Sequence, residues 1–346
     1  RRHAFLLLYL FGASPAVCSS FLAGRAHELQ TLNEHTMYMP YGTSLRMGRL
    51  GYQSDAQASI AVSYNSLDGY GASLQDALTR PYPAYEAIGV RNPGGDYNQL
   101  DTSLLQIENE FYGTIRPKRV IQPGERPLHA LRERGVEYIE VRLMDLDPFI
   151  PVGITAQTMR FLDVFLLHCL LADSPPDTPQ EIAETSHSRD RVAARGREPG
   201  LRLERDGREV LLTDWGMELM EAFVPIAARL DAVHGGTQYR QALMAARAGL
   251  ADASTLPSAR VLEVMAREFD NSFIRFARAQ SQQTRRALLS LPFPADMQAR
   301  FRAMAQQSIE DQKKVEAADT VPFDIYLQQY LSPERLGLPG ALPRAA

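Results

Sequence analysis

The sequence predicts an α+β protein with strands early and helices late, and three observations carry that expectation. Two short segments, 106–116 and 136–142, alternate apolar and polar residues with the two-residue period of a strand. Turns marked by glycine and proline, such as Asn92-Pro93-Gly94-Gly95 and Gln122-Pro123-Gly124, punctuate residues 1–150. From 214 to 331 helical periodicity prevails.

Taken in order, the first apolar run is 4–10, after Arg1 and Arg2 and ahead of small residues from Gly12 to Ser20. That order imitates a secretory signal. We read it as the end of a core helix entering a loop, because the chain starts with arginine and a cleaved signal would be absent from a mature protein. In 106–116, Leu105, Ile107 and Phe111 alternate with Gln106, Glu108, Glu110, Tyr112 and Thr114. In 136–142, Ile139, Val141 and Leu143 alternate with Tyr138, Glu140 and Arg142. A sheet face of acids, a base and tyrosines either lines a wet, charged site able to hold divalent metals and phosphates, or is the solvated face of an antiparallel sheet.

Residues 155–172 have the apolar density of a buried helix, with Thr155 as N-cap and Asp173-Ser174-Pro175-Pro176 as its stop. Asp163 and His168 interrupt this run, and no run reaches the roughly 18–20 apolar residues that span a bilayer. His168 reads as a satisfied core histidine. The polar stretch 174–209 reads as loops around a short helix. Asp214 is expected to cap a helix that Gly235-Gly236 ends, with further helices near 237–249, 257–290 and 295–318. By organisation, 1–150 is expected to make sheet, 151–331 to be mainly helical, and the tail 332–346 to fray.

At 346 residues, 45% hydrophobic and 23% charged, the chain has the composition of a globular protein. A net charge of -4 gives no electrostatic argument for nucleic acid or an anionic membrane as partner. Cys18 and Cys169, far apart, make neither a disulfide framework nor a metal knuckle, and a reducing cytoplasm is the simpler expectation. The phosphate-binding GxxxxGK[ST] and GxGxxG loops are missing. Gly12-Ala13-Ser14-Pro15-Ala16 lacks the last glycine of a nucleophile elbow, so Ser14 reads as structural. Phosphate chemistry here would have to use a sheet and metal ions.

Six stretches then carry a specific resemblance: YLFGASPAVCSSFL (9–22), YGTSLRMGRLGY (41–52), LLQIENEFYGTIRPKR (104–119), GVEYIEVRLMDLDPF (135–149), RFLDVFLLHCLLAD (160–173) and EAADTVPF (316–323). With them the chain resembles the proteobacterial type of glutamate–cysteine ligase. The resemblance implies a glutamine-synthetase-like fold, in which a curved antiparallel sheet forms an open funnel with helices around it and the C-terminal half is helical. It implies ATP- and Mg2+-dependent ligation of the γ-carboxylate of glutamate to cysteine through a γ-glutamyl phosphate, the first step of glutathione biosynthesis, in a cytoplasmic monomer. It also implies that 1–346 is the C-terminal two-thirds of a single catalytic domain, with its active-site residues in 1–150 and a further segment ahead of residue 1 that holds most magnesium-binding acids. On that expectation 1–346 alone is inactive or unstable.

Residue by residue, the resemblance puts Glu140 on the magnesium-binding glutamate and Arg142 on the arginine facing the transferred phosphate. Two positions on a strand place both side chains on one face, roughly 6.5–7 Å apart at the backbone, with room between for a metal and a phosphoryl oxygen. Arg46 falls on a glutamate-site arginine, where a fork grips a carboxylate bidentately. Arg49 reads as its solvated neighbour. Tyr52 and Tyr112 fall on tyrosines of the cysteine pocket. Glu108 and Glu110 share the expected face with Tyr112 and are nominated by geometry alone as further metal ligands or supporting acids.

Overall fold

The computed structural model describes residues 1–51, 56–57 and 60–336. In chain order the elements are α1 (Ala4–Phe11), β1 (Ala16–Cys18), β2 (Gln30–Asn33), β3 (Thr36–Tyr38), α2 (Leu67–Thr79), α3 (Pro83–Ile88), β4 (Ile115–Lys118), α4 (Pro127–Arg134) and β5 (Tyr138–Val141). Then follow α5 (Ala156–Leu171), α6 (Pro179–Arg195), β6 (Arg202–Arg205), β7 (Arg208–Leu211), α7 (Leu212–His234), α8 (Gln238–Ala251), α9 (Pro257–Glu268), α10 (Phe273–Leu289), α11 (Ala295–Ala318) and α12 (Phe323–Tyr330). This is a helix-rich α+β chain with small sheets: β1-β3-β2, β4-β5 and β6-β7. The first and third are antiparallel, with Val17 and Thr31 both opposite Met37 and a bulge between Thr31 and Asn33.

Two compact units divide the chain. The first comprises Arg1–Ser73, Phe111–Arg116 and Ile139–Thr284. Its centre is α1, whose residues from Ala4 to Leu10 are all buried, as expected of a helix that is apolar all round. Leu6, Leu7 and Leu8 are wholly enclosed, each worth roughly 1.5–3 kcal/mol of burial, which draws this run into the core. Around it pack Phe161, Val164 and Phe165 of α5, Trp215, Met220 and Phe223 of α7, and Leu243 and Leu250 of α8. Among the described residues no helix is long and apolar enough to cross a membrane.

The second unit comprises Leu74–Glu110, Pro117–Tyr138 and Arg285–Ala346. Its main polar feature is buried. Arg126 Nε donates to both oxygens of Glu108 (3.1 and 2.9 Å), and Leu128 N–H donates to Glu108 Oε1 at 3.3 Å. Arg126 Nη1 donates to the Tyr330 carbonyl at 2.8 Å, with the guanidinium lying 4.6 Å over the Tyr330 ring.

Several expectations need correction. The stretch 106–116 is not one strand: Glu108–Glu110 is a 3-10 turn and β4 begins only at Ile115. The ion pair to Arg126 draws the Glu108 carboxylate inward, which breaks the alternation. The stretch 174–209 holds a 17-residue helix and most of a hairpin, not loops around a short helix. Thr178 caps α6 by accepting from Glu181 N–H, and the helix buries Glu184 and Ser188, which bond the hairpin backbone at Gly207 and Glu204. That polar buried stripe escapes a reading based on hydrophobic period. The hairpin turns at Asp206-Gly207, both with positive φ, the geometry an Asp-Gly pair favours. Asp214 lies inside the first turn of α7, which starts at Leu212. The span 257–290 is two helices, parted where Asp270 and Asn271 adopt φ of 49° and 59°. Thr155 does cap α5, and Gly235 does end α7. In the tail, Pro333–Leu336 form a 3-10 turn whose Leu336 is buried.

Candidate active site

All the contacts of this site lie in the first unit. Arg142, just past the end of β5, is held at both of its peptide groups. Its N–H donates to the Thr114 carbonyl at 2.9 Å, and its own carbonyl accepts from Arg46 Nη2 at 3.1 Å. Its Nη1 stands 3.4 Å from Glu140 Oε2, with the two side chains 23% and 38% exposed. A pair so exposed is worth about 0–1 kcal/mol, so it adds little to stability and yields easily to a ligand. Burial, and then the charge of Arg46, lower the Arg142 pKa from its ordinary value, yet a guanidinium stays cationic at neutral pH.

Arg46 sits in a 3-10 turn, Leu45–Met47, capped by Ser44, whose Oγ accepts from Met47 N–H at 3.3 Å. Its Nε donates to Asp145 Oδ1 at 2.7 Å, and its Nη2 donates to the carbonyls of Arg142 (3.1 Å) and Met144 (2.8 Å). These bonds engage Nε–H and both hydrogens of Nη2. A bidentate grip needs two adjacent nitrogens. Arg46 thus commits Nε and Nη2 to the fold, and the expected grip on a substrate carboxylate would compete with these bonds.

Asp145 is the hub below. Its side chain is 6% exposed, and Oδ2 accepts from Ser14 Oγ at 2.7 Å and Ala13 N–H at 2.8 Å. Ser14 also bonds Thr43 and Leu45 through its backbone, at 3.1 and 2.7 Å, in keeping with its structural reading. Gly12 makes this approach possible, because a Cβ there would stand 2.7 Å from the Leu8 carbonyl oxygen and 2.8 Å from that of Thr43. Segments 12–14, 43–47 and 142–145 are thus locked together.

Tyr112 lies beside a cavity of about 360 Å³, lined also by Arg49, Gln57, Thr114, Arg189 and Asp190. Its N–H donates to Gln57 Oε1 at 3.0 Å, and its side chain is exposed. Arg49 is exposed, as expected of a solvated neighbour, but it lines this cavity. Tyr52 lies outside the described residues. Next to Tyr112, the Tyr64 hydroxyl donates to the Ile115 carbonyl at 2.7 Å, and burial pushes its pKa up.

With this geometry in view, comparison with known proteins is decisive. The family model for glutamate–cysteine ligase matches residues 1–192. The chain belongs to the glutamate–cysteine ligase family. It is 49% identical over 330 residues to the glutamate–cysteine ligase of Janthinobacterium sp. (strain Marseille) and 47% identical to that of Pseudomonas aeruginosa (strain LESB58), covering 95% of this chain in each case. In both, the match spans 62% of the relative's own length. A crystal structure of glutamate–cysteine ligase from Francisella tularensis, in complex with AMP, superposes with a TM-score of 0.86 at 35% identity, over 95% of this chain and 65% of that one. A bifunctional glutathione synthetase from Pasteurella multocida has a TM-score of 0.57 at 20% identity, over 83% of this chain and 31% of that one, and shares the fold.

The other candidates of this glutamate–cysteine ligase family chain fare differently. Glu108 is engaged by Arg126 in the second unit. Glu110 Oε2 turns back to accept from Gln106 N–H at 2.8 Å. Among the described residues no three or more His, Cys, Asp or Glu come together as a metal cage. Glu140 offers a single carboxylate. Magnesium is commonly held by one or two carboxylates, with phosphate oxygens and water completing its six places. The donors here fit a share of such a shell, not all of it. Sequence reasoning missed Asp145 and Gln57. Asp145 lies in the matching stretch 135–149, but it follows the strand, where alternation no longer marks anything. Cys18 and Cys169 are both free thiols.

Proposed function

We propose that this chain forms one wall of a glutamate–cysteine ligase site, in which the γ-carboxylate of glutamate is joined to the amine of cysteine at the expense of ATP. The observation that carries the reading is the Glu140–Arg142 pair, with the Arg142 backbone held on both sides. A carboxylate does not react usefully with an amine. Transfer of the γ-phosphoryl group of ATP makes it a γ-glutamyl phosphate, which the amine attacks with loss of phosphate. The AMP bound by the Francisella relative supports a nucleotide as substrate.

Each residue then has a distinct task. Arg142 meets the equatorial oxygens of the transferred group with a planar, permanently charged donor, where charge builds up in the transition state. Glu140 would hold Mg2+, which when bound neutralises phosphate oxygens. Arg46 directs its guanidinium charge to the glutamate carboxylate. Tyr112, with Tyr52, packs against the small thiol side chain of cysteine and presents a hydroxyl to its carboxylate. We place β4 and β5 in the curved antiparallel sheet of a glutamine-synthetase-like funnel, and the whole protein in the cytoplasm as a monomer.

The test is product analysis on the full-length protein with glutamate, cysteine, ATP and magnesium. The expected result is γ-glutamylcysteine, ADP and phosphate in equal amounts. ADP release that ignores both amino acids, or equal use of bulky amines, would overturn the reading.

A further inference from the structure

We infer that Asp145 is a positioning residue for the proposed phosphoryl transfer, acting on Arg142 through Arg46; its effect on turnover rests on the ligase reading above. The geometry is a relay with no slack. Oδ2 of Asp145 is tied to Ala13 N–H and Ser14 Oγ, and Asp145 N–H donates to the Phe11 carbonyl at 3.2 Å. The carboxylate therefore cannot turn without breaking contacts to the end of α1. Its Oδ1 takes Arg46 Nε, and because a guanidinium is planar, fixing Nε also fixes the direction of Nη2. Nη2 in turn holds the carbonyls of Arg142 and Met144.

Stability alone is a poor reason for this arrangement. Arg46 is 37% exposed, so its share of the ion pair is screened by solvent. The carboxylate, by contrast, is almost fully enclosed, and enclosing a charge costs free energy that only well-placed donors offset. Three donors converge on it, from segments 12–14 and 43–47, while its own N–H donates to the Phe11 carbonyl. What the arrangement secures is the angle of the turn that carries Arg142. Displacing a catalytic group by about 1 Å costs about 100-fold in rate.

The decisive experiment is a double-mutant comparison in the full-length protein. Asp145→Asn should lower kcat about 100-fold while changing the KM for cysteine little. In an Arg46→Ala background the same substitution should cause no further loss. Ser14→Ala, which removes one of the two donors on Oδ2 together with the 3.2 Å contact to Ser44 Oγ, should lower Tm and cost less in kcat than Asp145→Asn. The Arg46 Nε–H signal in NMR should be protected from exchange in wild type and in Ser14→Ala, and lost in Asp145→Asn. Additive losses in the double mutant, or an Arg46 signal indifferent to Asp145→Asn, would overturn the inference. Should Asp145→Asn not fold, Arg46→Ala must itself reproduce the kcat loss with the cysteine KM preserved, and an unchanged kcat refutes it. A wild-type protein that made no γ-glutamylcysteine would sink the ligase reading, and the NMR comparison would still decide the relay.

Discussion

The carbonyl oxygen of Arg142 accepts a hydrogen bond from Nη2 of Arg46 at 3.1 Å, so two cations of the site are joined through main chain and not through charge. The contact holds like charges near one another, and the charge of Arg46 adds to burial in lowering the Arg142 pKa, while Asp145 pairs with Arg46 itself.

Replacing Arg142 with lysine keeps the charge and removes the planar fork. Turnover should fall about 10²–10³-fold, the usual loss for one transition-state donor, with Tm unchanged. Phosphate release and a thermal melt on the same preparation check this, and preserved turnover would make Arg142 a structural charge.

Glu140→Gln removes the carboxylate offered to magnesium. The magnesium concentration for half-maximal rate should rise in a metal titration, since an amide is a weaker ligand for a hard cation. A titration curve that coincides with wild type would take Glu140 out of the metal shell.

Tyr112 faces a cavity, so Tyr112→Ala should raise the KM for cysteine far more than that for glutamate. Steady-state kinetics with each substrate varied in turn decides this. Equal effects would remove Tyr112 from the cysteine pocket.

Glu108→Ala leaves Arg126, 1% exposed, without its carboxylate. Breaking a buried pair from one side costs about 3–5 kcal/mol, read as a lower denaturant midpoint. An unchanged midpoint together with altered magnesium dependence would return Glu108 to the metal ligands.

His3 provides a pH prediction. Burial is the chief cause that lowers its pKa from 6.5 to about 4, and its Nδ1 has no hydrogen-bond partner. In the unfolded chain this histidine takes up a proton below about 6.5, whereas in the folded state it does so only near 4. The unfolded state binds more protons across that window, so stability is lost as pH falls from about 6.5 towards 4. The contribution is roughly 3 kcal/mol at most. Urea melts across the window should show a shallower pH slope in His3→Leu, and equal slopes would refute it.

Much of this was legible in the residue order. The helix cap at Thr155, the glycine stop after α7 and the burial of the first apolar run follow from local chemistry and from period. Two further signals were there to be read: the Thr178-Pro179-Gln180-Glu181 cap and the Asp206-Gly207 turn. What misled was the alternation in 106–116. Period assigns every polar residue to one face, but a buried arginine 18 positions away pulled Glu108 off it.

By itself the sequence determined the α+β class, the bounds of α5, α8 and α11 to within two residues, family membership and the nomination of Glu140, Arg142, Arg46 and Tyr112. These depend on local propensity and on the order of residues along the chain. Tertiary structure alone decided which hydrogen bonds each polar group makes. It bonded Arg46 to Asp145 and to the carbonyls of Arg142 and Met144, drew Glu108 into a buried ion pair, and brought Asp145 forward. The reason is physical: a guanidinium has five N–H groups and a carboxylate two oxygens, and only the positions of distant segments say which partners claim them.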